Sequence, residues 1–350
     1  MRRTALVYHP DYLLHDAGRH HPERPERLAE TMDYFRKTSL LEKLTLLKPE
    51  PCDVEEILRV HTIELLNIVK NLSASGGGFI DADTYCSPRT YEVARLAAGG
   101  CMLAGKAVME KQVDNAFALI RPPGHHATKN KAGGFCYFNN AAIMIRYLQK
   151  FYRVQKVFLF DWDAHAGNGT MDIFYDDPSV LNVSIHQDPG TFYPGTGFVE
   201  QCGTGRGAGY TINVPVPQGT GDADYIHILK DFVIPLAERY GPDLIVIAAG
   251  QDSHASDSIS GLCLTENGYA EMTKLLAGTA EKICSGRLVA ELEGGYDLLS
   301  FARSNHAIAS TLLGIGGDYE IRGEIKESTD LVLTLLRDSL LSDPGAFKAP

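Results

Sequence analysis

The chain has 350 residues, 44% hydrophobic and 22% charged, enough to bury a large core, which excludes disorder and a minimal stapled scaffold. Lys+Arg 33 against Asp+Glu 44 leaves a net charge of −11, a field that repels nucleic acid and argues against DNA binding. No apolar run reaches the roughly 18 residues that a membrane helix needs, and seven cysteines without a CxxC pair argue against a disulfide framework or a cysteine-built zinc site and for reduced cytoplasm.

In chain order, short β-branched apolar runs predict strands at 5–8, 116–120, 156–160, 180–185, 243–250 and 287–292. Longer helical patterns lie between them, at 90–111, 139–152, 222–240 and 265–283. No repeat, low-complexity stretch or composition shift marks a boundary, so one domain is expected over residues 1–350. Alternating strand and helix predicts βαβ units. The strands are nearly continuous in apolar residues, which predicts a parallel sheet covered on both faces.

Ligands of such sheets bind at the carboxyl ends of the strands. There the chain reads RPPGHHA after 116–120, DWDAH after 156–160, HQDPGTFYPGTG after 180–185, QDSH after 243–250 and EGGYD after 287–292. These loops concentrate His, Asp and Tyr beside Gly and Pro. Asp163 and His165 are two residues apart, where strand alternation puts both on one face. Asp252 follows a buried-looking strand, where an unpaired carboxylate is costly unless it binds a cation.

Three ligands, Asp163, His165 and Asp252, would leave positions open for water, as catalytic metal sites do. The donor types suit Zn(II), with Fe(II), Co(II) and Mn(II) matching as well. His125 and His126, after a rigid PPG turn, are the residue type for proton transfer near neutral pH. Tyr296, after a flexible GG pair, is placed to donate to a developing oxyanion. Phe135 and Tyr193 are candidate channel walls. Each feature alone has an ordinary explanation as a loop or packing residue. Together they fit metal-assisted hydrolysis, with an ion-activated water, an imidazole base and a phenol.

The ordered motifs HPERPERL at 21–28, RPPGHHA at 121–127, GGFCYFNN at 133–140, DWDAHAGNGT at 161–170, YPGTG at 193–197 and LEGGYD at 292–297 make the chain resemble the zinc-dependent histone deacetylase family. That group includes histone deacetylase-like amidohydrolases and acetylpolyamine amidohydrolases. The resemblance implies an α/β, single-domain arginase-deacetylase fold with an eight-stranded parallel sheet between helices. It also implies hydrolysis of an acyl amide on an amine such as acetyl-lysine. By motif, Asp163, His165 and Asp252 correspond to the metal ligands, His125 and His126 to the proton-handling pair, and Tyr296 to the carbonyl-polarising phenol.

The resemblance further implies that Asp161 orients His125 and Asn168 contacts His126. A carboxylate partner makes the first imidazole more basic than the amide makes the second, so His126 is the expected general base. The Gly134 carbonyl would accept the substrate amide proton, with Phe135 and Tyr193 along the lysine stem. A structural K+ is expected near Asp161, Asp163, His165, Ser184 and Ile185, and a second near Phe174, Asp177, Val180 and Tyr210.

Relatives read HHG where this chain has His165-Ala166-Gly167, and many carry Phe at Tyr193. Ile259 occupies the region where a polyamine-selective relative uses Glu. The leading expectation is a cytoplasmic, metal-dependent deacylase of acyl-lysine or a related amine, with no nucleic-acid or membrane partner. The rivals are an acetylpolyamine amidohydrolase and a non-catalytic acyl-lysine-binding protein marked by Ala166. The oligomeric state is left open.

Overall fold

The computed structural model describes residues 1–342; residues 343–350 of the expected domain lie outside the described residues. Ten strands are present: β1 (Thr4–Val7), β2 (Thr45–Leu47), β3 (Gly78–Phe79), β4 (Tyr85–Cys86), β5 (Asn115–Ala118), β6 (Val157–Asp161), β7 (Val180–Gln187), β8 (Thr211–Val216), β9 (Leu244–Ala249) and β10 (Leu288–Leu292). The helices are α1 (Glu26–Lys37), α2 (Val54–Ile57), α3 (Ile63–Ala74), α4 (Thr90–Met109), α5 (Asn140–Tyr152), α6 (Asn168–Phe174), α7 (Asp222–Ile228), α8 (Ile234–Tyr240), α9 (Glu266–Cys284), α10 (Leu298–Leu313) and α11 (Glu327–Ser342).

Eight strands form one sheet in the order β2-β1-β5-β10-β9-β6-β7-β8. Every pair in it is parallel. The expected single α/β domain with an eight-stranded parallel sheet between helices is the observed one. β5, β6, β7, β9 and β10 are buried at every position, because helices leave neither face of the central strands to water. α4 packs on β1, β5 and β10, α9 on β9, and α10 on β1 and β5.

Two sheet strands escape the sequence pattern, and both are edges. β2 is three residues long and largely exposed, and β8 contains Pro215, which only an edge strand accommodates without losing a ladder bond. The helix expected over 222–240 is continuous in space but widens to a π-turn at Leu229–Val233. Pro235 follows it, and a proline ring cannot fit against the carbonyl four residues back in a regular α-helix. Within α4, Gly99 is needed for packing: a Cβ there would collide with the Glu50 carbonyl.

A buried ion cluster ties three sequence motifs together. Glu23 accepts from Arg121 through both oxygens, at 2.7 Å each, and from Arg27 Nη1 at 3.0 Å. All three side chains are fully buried. Arg121 Nη1 also donates to the carbonyls of Tyr12 and His15 at 2.6 and 2.7 Å. Arg27 donates to the carbonyls of Gly295 and Glu293 at 2.6 and 2.5 Å. The segment HPERPERL is thereby fastened to the loop after β5 and to the loop after β10.

Burial works to raise the Glu23 carboxyl, but Arg121 and His15 hold it well below its ordinary value of 4.5. The stability that Glu23 contributes is therefore complete above pH 4.5 and is lost as the pH falls from there toward the native value. Glu23→Gln is expected to cost about 3–5 kcal/mol at pH 7, since it strands two buried cations. The gap between wild type and variant in chemical denaturation should narrow below pH 4.5; a gap independent of pH would refute this account.

Candidate active site

The parallel sheet delivers the loops after β5, β6, β7, β9 and β10 to one edge. β6 ends at Asp161, so Asp163 and His165 lie in the loop beyond it rather than on the strand. Strand alternation is therefore not what aligns them. The loop does so by its own hydrogen bonds: Asp163 Oδ1 accepts from the backbone N–H of His165 at 2.9 Å and lies 3.0 Å from its ring Nδ1. The same Nδ1 lies 3.0 Å from Asp252 Oδ2, while Asp252 Oδ1 accepts from Ala164 N at 2.7 Å.

One donor atom from each of Asp163, His165 and Asp252 falls within 4.8 Å of the others, and all three residues are buried. Burial and the neighbouring Asp163 charge push Asp252 up to about 7. Burial also works to raise Asp163, but His125 and His165 hold it below the carboxylate range. Burial works to lower His165, and the Asp163 and Asp252 carboxylates overcome it, bringing it up to about 9. Two carboxylates and an imidazole crowded around one buried point fit a divalent cation, which would relieve the repulsion between the acids.

The first glycine of LEGGYD provides clearance for two carboxylates. A Cβ on Gly294 would lie 2.5 Å from Asp252 Oδ2 and 2.6 Å from Asp163 Oδ2, while Gly294 N donates to Asp163 Oδ2 at 2.8 Å. Gly250, at the end of β9, is equally confined, since a Cβ there would strike the Asp163 carboxylate. Sequence reasoning missed both roles; a glycine directly after a wholly apolar strand was the available signal.

His125 and His126 stand beside the carboxylates with rings 4.0 Å apart. His125 Nδ1 lies 2.9 Å from Asp161 Oδ2, and His126 Nδ1 lies 2.7 Å from Asn168 Oδ1. Burial opposes charge on both. At His125 the Asp163, Asp161 and Glu293 carboxylates outweigh it and hold the value well above normal. At His126 the charges of His125 and His165 add to burial, and the value falls well below normal.

The loop carrying the pair is held from several directions. Glu293 Oε2 accepts from Gly124 N and His125 N at 2.7 and 3.1 Å. The start of α6 donates Gly169 N and Thr170 N to the His125 carbonyl at 2.9 and 3.1 Å. Asn140 donates to the Pro122 carbonyl at 3.1 Å, and Asn139 caps α5. The asparagines of GGFCYFNN thus serve to place the histidines.

Tyr193 stacks edge-on to His126 at 4.9 Å and is 45% exposed, at the mouth. Phe135 meets the Tyr296 ring at 5.9 Å. Gly134 lies against His126, where a Cβ would come within 2.5 Å of Cδ2, and its carbonyl accepts from the Cys136 thiol at 3.3 Å. Tyr296 is fixed by its backbone N–H, which donates to Asp257 Oδ2 at 2.5 Å, and by the Arg27 guanidinium 5.0 Å from its ring. Burial and Asp252 hold its phenol well above 10, so it keeps its proton. Asp257 was not singled out from sequence, and neither was Phe192, which stacks on His165 at 4.5 Å.

Ile259 lies outside this centre, in a hollow of about 310 Å³ with His20, His21, Arg24 and Tyr296. Ala166 is buried, and its methyl lies beside Gly197, which is also flanked by His186. Asp161 pairs with Ser184 across β6 and β7 and accepts from Asp163 N at 3.0 Å, so the first expected cation group is brought together with Ile185 and the His165 loop. In the second group, Phe174 O accepts from Asp177 N at 3.0 Å and Asp177 O from Val180 N at 3.4 Å. Tyr210 O accepts from Asn182 N at 2.8 Å. The Asp177 carboxylate there is engaged by Arg146 at 2.6 Å.

Gly294→Ala is expected to lower metal affinity at least about 10-fold, since two ligand carboxylates must move to admit one methyl. Metal titration of the folded variant checks this, and wild-type affinity would show that the close packing is immaterial.

All seven cysteines are free, and among the described residues no helix is long and apolar enough to cross a membrane. Residues 21–312 match the histone deacetylase domain. The chain is 47% identical over 297 residues to a probable deacetylase of Archaeoglobus fulgidus, covering 84% of this chain and 82% of that protein. It is 37% identical over 331 residues to the histone deacetylase-like amidohydrolase of Pseudomonas aeruginosa, covering 90% and 87%. With the polyamine deacetylase HDAC10 of Homo sapiens it shares 37% over 326 residues, 89% of this chain but 48% of that one. The crystal structure of the HDA15 HD domain superposes with a TM-score of 0.91 at 35% identity, covering 98% and 96%. Fold, motif order and likeness along nearly the whole chain agree: this protein belongs to the histone deacetylase family, whose members are metal-dependent hydrolases.

Proposed function

We propose that this protein hydrolyses the acyl amide of an acylated lysine side chain, using Zn(II) held by Asp163, His165 and Asp252, with Fe(II) as the alternative ion. The observation that carries this reading is the convergence of those three donors within 4.8 Å beside a histidine pair with unlike partners. When bound, the ion polarises the acyl carbonyl and acidifies the attacking water.

Each remaining step falls to the protein's own groups. His126, paired with the neutral Asn168 amide, is uncharged at neutral pH and takes the proton of the attacking water. His125, held toward its charged form by Asp161, maintains a positive field beside the developing oxyanion. The Tyr296 phenol donates to that oxyanion. The proton on His126 then passes to the departing amine. Phe135 and Tyr193 flank the aliphatic stem, and the Gly134 carbonyl accepts the substrate amide N–H.

The outer hollow favours acyl-lysine over an acylated polyamine. His20, His21 and Arg24 line it beside Ile259, and its carboxylate, Asp297, is engaged as the cap of α10. The first cation group, Asp161 to Ile185, suits a structural K+; in the second, Arg146 already supplies a positive charge to Asp177. Ala166 does not impair the reading, because the three converging donors are present without it, and family membership gives the non-catalytic alternative no support. The seven free cysteines fit a cytoplasmic setting, and residues 1–350 are taken as a single catalytic domain.

The test is turnover of acetyl-lysine peptide, longer acyl-lysine peptides and acetylspermidine by protein reconstituted with Zn(II) or Fe(II). Faster turnover of the lysine substrates is expected. Preference for acetylspermidine would overturn the substrate assignment, and no turnover of any amide would overturn the reading itself. Tyr296→Phe should lower kcat about 100-fold or more with KM little changed, as for loss of one oxyanion donor. A kcat within a few-fold of wild type would remove Tyr296 from the mechanism.

A further inference from the structure

Glu291, on β10, and Glu293, just past its end, are two residues apart and both fully buried. Glu291 is in register with Ala118 of β5 and Ala248 of β9, whose methyls leave room for its longer side chain. Glu293 Oε2 holds the loop of the histidine pair through the Gly124 and His125 N–H groups. Its Oε1 and both oxygens of Glu291 find no donor among the described residues, and the two carboxyls are near enough to shift each other.

Two ionised carboxylates offer each other only acceptors. A single proton between them removes one buried charge and supplies the missing donor. The surroundings place that proton on the Glu291 side. Glu291 feels the negative charges of Glu293, Asp161 and Asp163. Glu293 feels the negative charge of Asp161 but also the positive charge of His125, and it accepts from the two backbone donors. Burial, followed by repulsion from Glu293, pushes Glu291 well above the carboxylate range.

We propose that Glu291 is a positioning residue that stays protonated and donates its hydroxyl to Glu293, fixing the carboxylate that anchors the Gly124–His125 backbone. The proposal rests on the reading of His125 and His126 as the proton-handling pair. Glu291 touches neither substrate nor reacting atoms; it acts through Glu293 on the alignment of those histidines.

The test compares metal-loaded wild type, Glu291→Gln and Glu291→Leu at neutral pH. Infrared difference spectra should show the carbonyl stretch of a protonated carboxylic acid in the wild type and its loss in both variants. Glutamine keeps a donor toward Glu293, so its kcat should stay within about threefold of wild type, while leucine should lower kcat about 10- to 100-fold. KM and metal content should be unchanged in both. Absence of the acid band from wild type, a wild-type kcat in the leucine variant, or an equal loss in the glutamine variant would each overturn the proposal. If the leucine variant does not fold, the band and the glutamine kcat decide. If wild type turns over no acyl amide, the function reading fails, and the band still decides whether the pair shares a proton.

Discussion

The bidentate pairing of Arg121 with Glu23, braced by Arg27, is the constraint on which the site depends. Charges this deep are tolerated only when every lone pair and N–H finds a partner. Meeting that demand forces three distant stretches of chain into one place. Glu23 and Arg27 come from the segment entering α1, Arg121 from the end of β5, and the carbonyls Arg27 engages from the loop after β10. The histidine pair and Tyr296 hang from those last two loops, so the ion cluster sets the distance between them.

Above this foundation the site is a problem of crowded negative charge. Asp161, Asp163, Asp252, Glu291 and Glu293 are all buried near the carboxyl ends of β6, β9 and β10. Each is accommodated differently. Asp161 pairs with His125, Asp163 accepts two backbone N–H groups and faces His165, and Glu293 accepts from the loop before His125. Asp252 accepts from Ala164 N and faces His165, yet burial and the Asp163 charge drive its value up to about 7. A divalent ion at this point would relieve the repulsion between Asp163 and Asp252, so the crowding of the two acids would favour its binding.

Much of the architecture was legible because buried parallel strands are uniformly apolar, and their ends are marked where polar residues abruptly begin. The central strands were placed within one or two residues for that reason. β2 and β8 were not, because an edge strand satisfies only one partner and carries little pattern. Among the site residues, those that bear chemistry announced themselves as His, Asp and Tyr. Gly250, Gly294 and Asp257 did not, since their roles are steric clearance and a backbone hydrogen bond, which leave no compositional trace.

The sequence by itself determined the βαβ order, the edge of the sheet where chemistry gathers, and the residue types available there, because periodicity and polarity change are local properties. Only the tertiary structure decided how those residues divide the work. Asp163 and His165 meet through a loop and not through strand alternation. Adjacent, identical histidines are driven in opposite directions because the Asp163 and Asp161 carboxylates outweigh burial at His125, while at His126 the charges of His125 and His165 add to it. The first glycine of LEGGYD is a point of steric clearance, because two carboxylates close in on it. Such distinctions depend on contacts between distant segments, 131 residues apart for Asp163 and Gly294, and no local pattern encodes the field that one buried group imposes on another.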